Sequence, residues 1–206
     1  MDNEDKSDKE EPKKPWVHEI SRPQWPDLII LYSGGADSRL LLELALSLGK
    51  YPHCVLIDYG QHHKEELEFA ERQLTKLDIK HQTVELSNLQ VNSGLTGTGV
   101  KNDSGLVHEM HVPSRNLMFV GIAASIAESK EINQIWYGAD YSDLLNNFPD
   151  CMPDWIDSVN DLLQINGPSP ISFQAPLMGF SKELVLGLLS RLGVSENEVY
   201  SGYGDL

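Results

Sequence analysis

LIILYSGGADSRLLLELA, from Leu28 to Ala45, decides the fold. LIILY, Leu28 to Tyr32, is a short apolar run of the length a buried strand needs. The segment from Ser38 to Gly49 places Leu40, Leu41, Leu44 and Leu48 on one side, the spacing of an amphipathic helix. Between them lies SGGADS. A strand that runs through two glycines into a helix is the context of a phosphate-binding turn. Glycines let backbone N–H groups approach an anion closely, and the helix N-terminus adds partial positive charge. The Ser33 and Ser38 hydroxyls flank the turn and can donate to phosphate oxygens, while Asp37 suits a magnesium ion better than a bare phosphate. The turn lacks the Lys-Ser/Thr of a nucleoside-triphosphatase P-loop and the GxGxxG of a dinucleotide site. The plainer alternative is a glycine turn in which Ser33 or Asp37 merely caps the helix.

The same grammar continues outward. HCVLIDY and HQTVEL read as strands, and KEELEFAERQLTKL as a helix with Leu67, Ala70, Leu74 and Leu77 inward. RNLMFVGIAASIAES predicts a helix, NQIWYGA a strand, and PDWIDSVNDLLQ and SKELVLGLLSRLG two more helices. Alternation of this kind predicts a single α/β domain over 27–206, with a central parallel sheet, helices on both faces and ligands at the strands' carboxyl ends. Residues 1–26 begin with a charged, proline-containing stretch that reads as a flexible tail. Two segments break the rhythm. Ser87 to Val112 has glycines at 94, 97, 99 and 105 and the length of a functional lid. DYSDLLNNFPDCMP, from Asp140 to Pro153, is a second irregular piece.

The 206 residues carry a net charge of −15, and −13 without the first fourteen. Such a surface repels a phosphate backbone, so nucleic acid is not an expected partner. No apolar run reaches membrane-spanning length and no secretory leader is visible, which together predict a cytoplasmic protein. Cys54 and Cys151 are too few for a disulfide framework or a four-cysteine zinc site.

SGGADS resembles the SGGxDS pyrophosphate loop of the N-type ATP pyrophosphatases, which cleave ATP between the α- and β-phosphates and adenylate an acceptor. Further segments single out one branch. IDYGQHHKEELEFA (57–70), VPSRN (112–116), FPDC (148–151), APL (175–177), SKEL (181–184) and YSGY (200–203) are similar, in order, to segments of 7-cyano-7-deazaguanine synthases. The resemblance implies an adenine-nucleotide alpha hydrolase-like, Rossmann-like domain. It also implies an ATP-dependent carbon–nitrogen ligase that forms AMP and pyrophosphate. ATP and Mg²⁺ would activate the carboxylate of 7-carboxy-7-deazaguanine, and ammonia would take the acyl group to give an amide or nitrile. Ser33, Gly34, Gly35, Ala36, Asp37 and Ser38 would hold the pyrophosphate, with Asp58, Tyr59 and Gln61 beside the nucleotide. Arg115 and Lys182 are the cations expected to neutralise charge around phosphate or carboxylate, against the alternative of surface ion pairs. His62 and Arg115 would touch the substrate. Asp150, with Asp140 behind it, would accept N–H groups of the guanine-like edge, although Asp150 beside Pro149 also suits a plain turn. His62 and His63 are poor metal ligands, because adjacent histidines do not share a helix face. The family's habit of pairing implies a homodimer.

The chain departs from this pattern in three places. The resemblance implies a C-terminal zinc site, but Gly202 stands where its first cysteine belongs, so no zinc is expected. Met152 replaces an arginine, and the loop before it is longer by about four residues, DLLNN standing for a single glycine. Arg39 follows the phosphate turn where a threonine is usual. These departures admit two other readings. One is a relative serving an antiviral or modification system, which joins the deazaguanine to an amine on a partner protein. The other, of a different class, is a module that binds nucleotide without splitting it.

Overall fold

The computed structural model describes residues 25–61, 64–86, 114–146 and 148–200. Five parallel strands form one sheet in the order β3-β2-β1-β4-β5, with β1 at Leu28–Leu31, β2 at Pro52–Asp58, β3 at Lys80–Glu85, β4 at Gln134–Trp136 and β5 at Ser172–Gln174. The helices are α1 (Ala36–Ser47), α2 (Lys64–Lys76), α3 (Arg115–Ser129), α4 (Tyr141–Leu145), α5 (Pro153–Asn166) and α6 (Lys182–Arg191).

Strand residues alternate between two cores, as the period of two requires. Leu28, Ile30, Cys54 and Leu56 pack with α1, α2 and α6, whereas Ile29, Leu31, Val55 and Ile57 pack with α3 and α5. Leu28, Ile29 and Ile30 are fully buried. Each contributes about 1.5–3 kcal/mol through burial, and truncating one to alanine costs about 2–5 kcal/mol. This two-sided burial explains why β1 is a solid aliphatic run rather than an alternating one.

The strand order positions the site. From β1 the chain steps outward through α1 and α2 to β2 and β3, whereas α3 leads into β4 on the other side of β1. The carboxyl ends of β1 and β4 therefore flank a point where the winding reverses, the standard ligand position in open parallel sheets. Short α4 and a 3-10 turn at Pro149–Cys151 follow β4 over this edge.

Three sequence expectations need correction. The irregular 140–153 segment contains α4, whose N-cap Asp140 accepts from the Ser142 and Asp143 amides. Leu48 does not face inward; it lies beyond the end of α1 and is 66% exposed. Strand β5 was not expected, because three residues carry almost no periodic signal. Asn160 of α5 supports it from outside the ladder, donating to the Phe173 carbonyl at 2.9 Å and accepting from its amide at 2.8 Å. The tail up to residue 24 and the lid segment 87–112 lie outside the described residues.

Candidate active site

Turn 33–38 opens from the end of β1 and is shaped by its backbone. Gly34 has φ of +88°, in the left-handed region, and a Cβ there would sit 3.0 Å from the Ala70 Cβ of α2. Both facts demand glycine. Ser38 Oγ accepts from the Ser33 amide at 3.2 Å and the Gly34 amide at 3.1 Å, and donates to the Gly35 carbonyl at 3.1 Å. Gly35 is the N-cap of α1, and no side chain among the described residues caps the helix. The simple capping role for Ser33 or Asp37 is therefore not what this turn does. Its first-turn N–H groups have no side-chain cap beside a cavity lined by Ser33, Gly35, Ala36, Asp37 and Ser38.

Lys182, the first residue of α6, crosses to this turn. Its Nζ lies 2.6 Å from Asp37 Oδ2 and 3.5 Å from Asp140 Oδ2. Burial works against the ammonium, but Asp37 beside it holds its pKa above the ordinary lysine value. Burial likewise raises the Asp37 carboxyl against the opposing pull of Lys182. Asp140 is held below the carboxylate range. Burial opposes this, and hydrogen bonds from Ser142 together with Lys182 outweigh it. Asp37 Oδ1 and Asp140 Oδ2 are buried and accept no hydrogen bond among the described residues. These two hard oxygens beside the glycine turn, the Asp140 one in an ion pair with Lys182, fit magnesium, which takes one or two carboxylates and fills its remaining positions with phosphate and water. Among the described residues no group of three or more His, Cys, Asp or Glu side chains is placed to hold a metal ion.

On the other side of the same cavity, of about 690 Å³, three elements meet in a recess. Asn116 of α3, itself buried, donates from Nδ2 to the Tyr137 hydroxyl at 2.6 Å and to Asp150 Oδ2 at 2.8 Å. Among the described residues Asp150 Oδ1 has only a long contact from Cys151 Sγ at 4.0 Å. Arg115 donates to the Tyr59 hydroxyl at 3.4 Å, with its guanidinium 5.6 Å from the Tyr59 ring centre and 5.9 Å from that of Phe119. Tyr137 stacks on Phe173, with ring centres 5.6 Å apart. The recess combines aromatic walls, a fixed cation and a carboxylate with a free oxygen. That donor and acceptor set suits a flat heterocycle bearing N–H groups and an acid. Burial pushes the Cys151 thiol up to about 12, so it is not a thiolate nucleophile at neutral pH.

The family described as queuosine biosynthesis protein QueC matches residues 27–205. The chain belongs to the QueC family. It is 31% identical over 187 residues to a 7-cyano-7-deazaguanine synthase of Alteromonas mediterranea, covering 86% of this chain and 84% of that one. It is 32% identical over 194 residues to a synthase of the same name from a Cyanothece species, covering 86% and 84%. Among solved structures it is similar to the NH3-dependent NAD synthetase of Campylobacter jejuni, with a TM-score of 0.56 at 18% identity over 89% of this chain and 71% of that one. That likeness confirms the fold, and family membership makes the chain an ATP-dependent ligase of the pyrophosphatase type.

How do the residues singled out in the sequence fall in this QueC-family chain? Ser33, Gly35, Ala36, Asp37, Ser38, Tyr59, Gln61, Arg115, Asp150 and Lys182 all line the one cavity. Gly34 supports the turn from behind. Asp58 and Asp140 are not in that lining. Asp58 ends β2 as expected, and its Oδ1 accepts from the Gly60 amide at 2.9 Å. Asp140 sits at Lys182 and caps α4, on the phosphate side rather than behind Asp150. His62 lies outside the described residues. Sequence reading passed over Asn116, Tyr137, Gly138 and Asp143. Gly138 was detectable only as a glycine after a strand; a Cβ there would press within 3.4 Å of Asp37 Cβ and the Ser38 amide.

Proposed function

We propose that this chain adenylates the carboxylate of a 7-deazaguanine acid with ATP and passes the acyl group to nitrogen, with ammonia as the acceptor. A carboxylate oxygen attacks the α-phosphorus, the bond to pyrophosphate breaks, and an acyl-adenylate forms. Ammonia then attacks the carbonyl carbon, AMP leaves, a proton is lost and the amide results. In a second activation the amide oxygen attacks the α-phosphorus of another ATP, pyrophosphate leaves, and loss of AMP with that oxygen and of both N–H protons gives the nitrile named in the relatives.

The observation that carries this reading is the shared cavity, with the anion-suited turn on one side and the Asn116–Asp150 recess on the other. Amides and hydroxyls of 33–38 hold the pyrophosphate. Lys182 is half-exposed and free to turn from Asp37 toward phosphate oxygens. Asp37 and Asp140 would hold magnesium, which would supply charge neutralisation when bound. Arg115 holds the acid, and Asp150 Oδ1 accepts from the base edge. Catalysis on this reading is positioning plus electrostatic stabilisation.

The test is pyrophosphate release from Mg-ATP with and without 7-carboxy-7-deazaguanine. Release that requires the acid, and amide formation that requires ammonia, are expected. Release indifferent to the acid would falsify the reading. Attachment of the deazaguanine mass to a protein amine, with no ammonia dependence, would instead establish the conjugating alternative.

A further inference from the structure

Arg39 follows the phosphate turn and is fully buried, the largest such side chain among the described residues. Its Nε and Nη2 donate to Glu43 Oε1 at 3.1 and 2.9 Å, within α1. Nη1 donates to Gln73 Oε1 of α2 at 3.1 Å and to the Glu198 carbonyl at 3.4 Å, and Nη2 lies 3.5 Å from Glu198 Oε1. One guanidinium therefore joins two helices to the 3-10 turn at Glu196–Glu198. Glu198 also closes a capping box with Ser195. Its second oxygen accepts from the Ser195 amide at 3.1 Å, which stiffens the turn.

Two residues further on, the Tyr200 amide donates to the Gly34 carbonyl at 3.0 Å, and the Tyr200 ring packs 5.9 Å from that of Phe69 in α2. The described chain has no cis peptide bond. In a trans peptide the carbonyl and the N–H point to opposite sides. Holding the Gly34 carbonyl toward Tyr200 therefore aims the Gly35 N–H the other way, where it meets Ser33 Oγ at 3.3 Å on the cavity wall. A Gly-Gly peptide is the easiest in a chain to rotate, because neither residue carries a Cβ. Rotated, it would show a carbonyl to the phosphate instead of a donor.

The geometry points to Arg39 and Glu198 as positioning residues. They dock residues 196–200 so that the Tyr200 amide locks the Gly34–Gly35 peptide with its N–H toward the phosphate. This rests on the reading of 33–38 as an anion site and adds what sets its polarity.

The experiment titrates inorganic pyrophosphate with magnesium, and separately Mg-ATP, into the full chain by calorimetry. Melting temperatures are recorded in parallel. Tyr200→Pro deletes the donor N–H, whereas Tyr200→Ala deletes the ring and keeps it. Pyrophosphate is expected to bind Tyr200→Pro about tenfold more weakly than Tyr200→Ala, the scale of one lost hydrogen bond to a buried carbonyl. Glu198→Gln keeps the capping box, which glutamine also satisfies, but loses the ion pair with Arg39. It should weaken pyrophosphate about threefold to tenfold, and raise KM for ATP with KM for the acid unmoved. Equal affinities in the two Tyr200 variants would overturn the inference, as would a Glu198→Gln variant that melts lower yet binds normally. If Tyr200→Pro does not fold, the Glu198→Gln result decides alone. If the wild-type chain binds neither pyrophosphate nor ATP, the anion site itself is wrong and this inference falls with it. Binding by wild type with no variant effect removes only the lock.

Discussion

The two sides of the cavity are built in opposite ways. Turn 33–38 is local: six consecutive residues, one left-handed glycine and one helix start produce it, and its own hydroxyls organise it. The recess is assembled from Arg115 and Asn116 on α3, Tyr137 after β4 and Asp150 on the 3-10 turn, with Tyr59 arriving from β2. The backbone-built side offers the start of α1 to the cavity, a feature that suits an anion and that its own six residues can build. The side-chain-built side can change its ligand by substitution. Met152 directly follows Cys151, a residue of the cavity lining, while SGGADS is intact.

This contrast can be broken by experiment, beginning with the turn. Asp37→Ala should lower pyrophosphate release about 10²- to 10³-fold with the fold retained, the scale for losing a preorganised charge at a transferring phosphate. Unchanged turnover would remove Asp37 from the site. Gly34→Ala forces a Cβ into the left-handed region and against Ala70. It should cost about 1–3 kcal/mol, lower the melting temperature by several degrees and weaken ATP. A variant that melts and binds like wild type would mean the turn is not held as described. On the recess side, Asp150→Asn should raise KM for the acid about tenfold to a hundredfold, because one half-buried acceptor becomes a donor that faces either Asn116 or the base edge. ATP affinity should change less than about twofold if the two sides are independent. Loss of ATP binding in Asp150→Asn would show that they are not. The smallest effect concerns Cys151, whose thiol should resist iodoacetamide at pH 7.5 in the native protein, since burial raises its pKa to about 12. Rapid labelling there would reveal an open, polar recess.

Sequence reading found most elements because two-sided burial makes strands into aliphatic runs and helices into leucine stripes. It missed β5, where Phe173 is the sole deeply buried residue of three, and α4, which depends on the Asp140 cap rather than on apolar spacing. The sequence-named residues that line the cavity stand in contiguous motifs. Arg39 stood out as an odd residue after the turn, yet its role was invisible, because Gln73 and Glu198 lie 34 and 159 positions away.

The sequence by itself determined the glycine turn at 33–38, since a strand end, a glycine pair and a helix start fix their own geometry through local sterics. It also determined the α/β alternation and, through ordered motifs, the family. Only the tertiary structure decided that Asn116 grips Asp150, that Asp140 serves Lys182, and that a buried arginine ties the 196–200 segment to the turn. Those contacts join residues remote in the chain. They depend on which strands become neighbours at the reversal between β1 and β4, and no local preference encodes that choice.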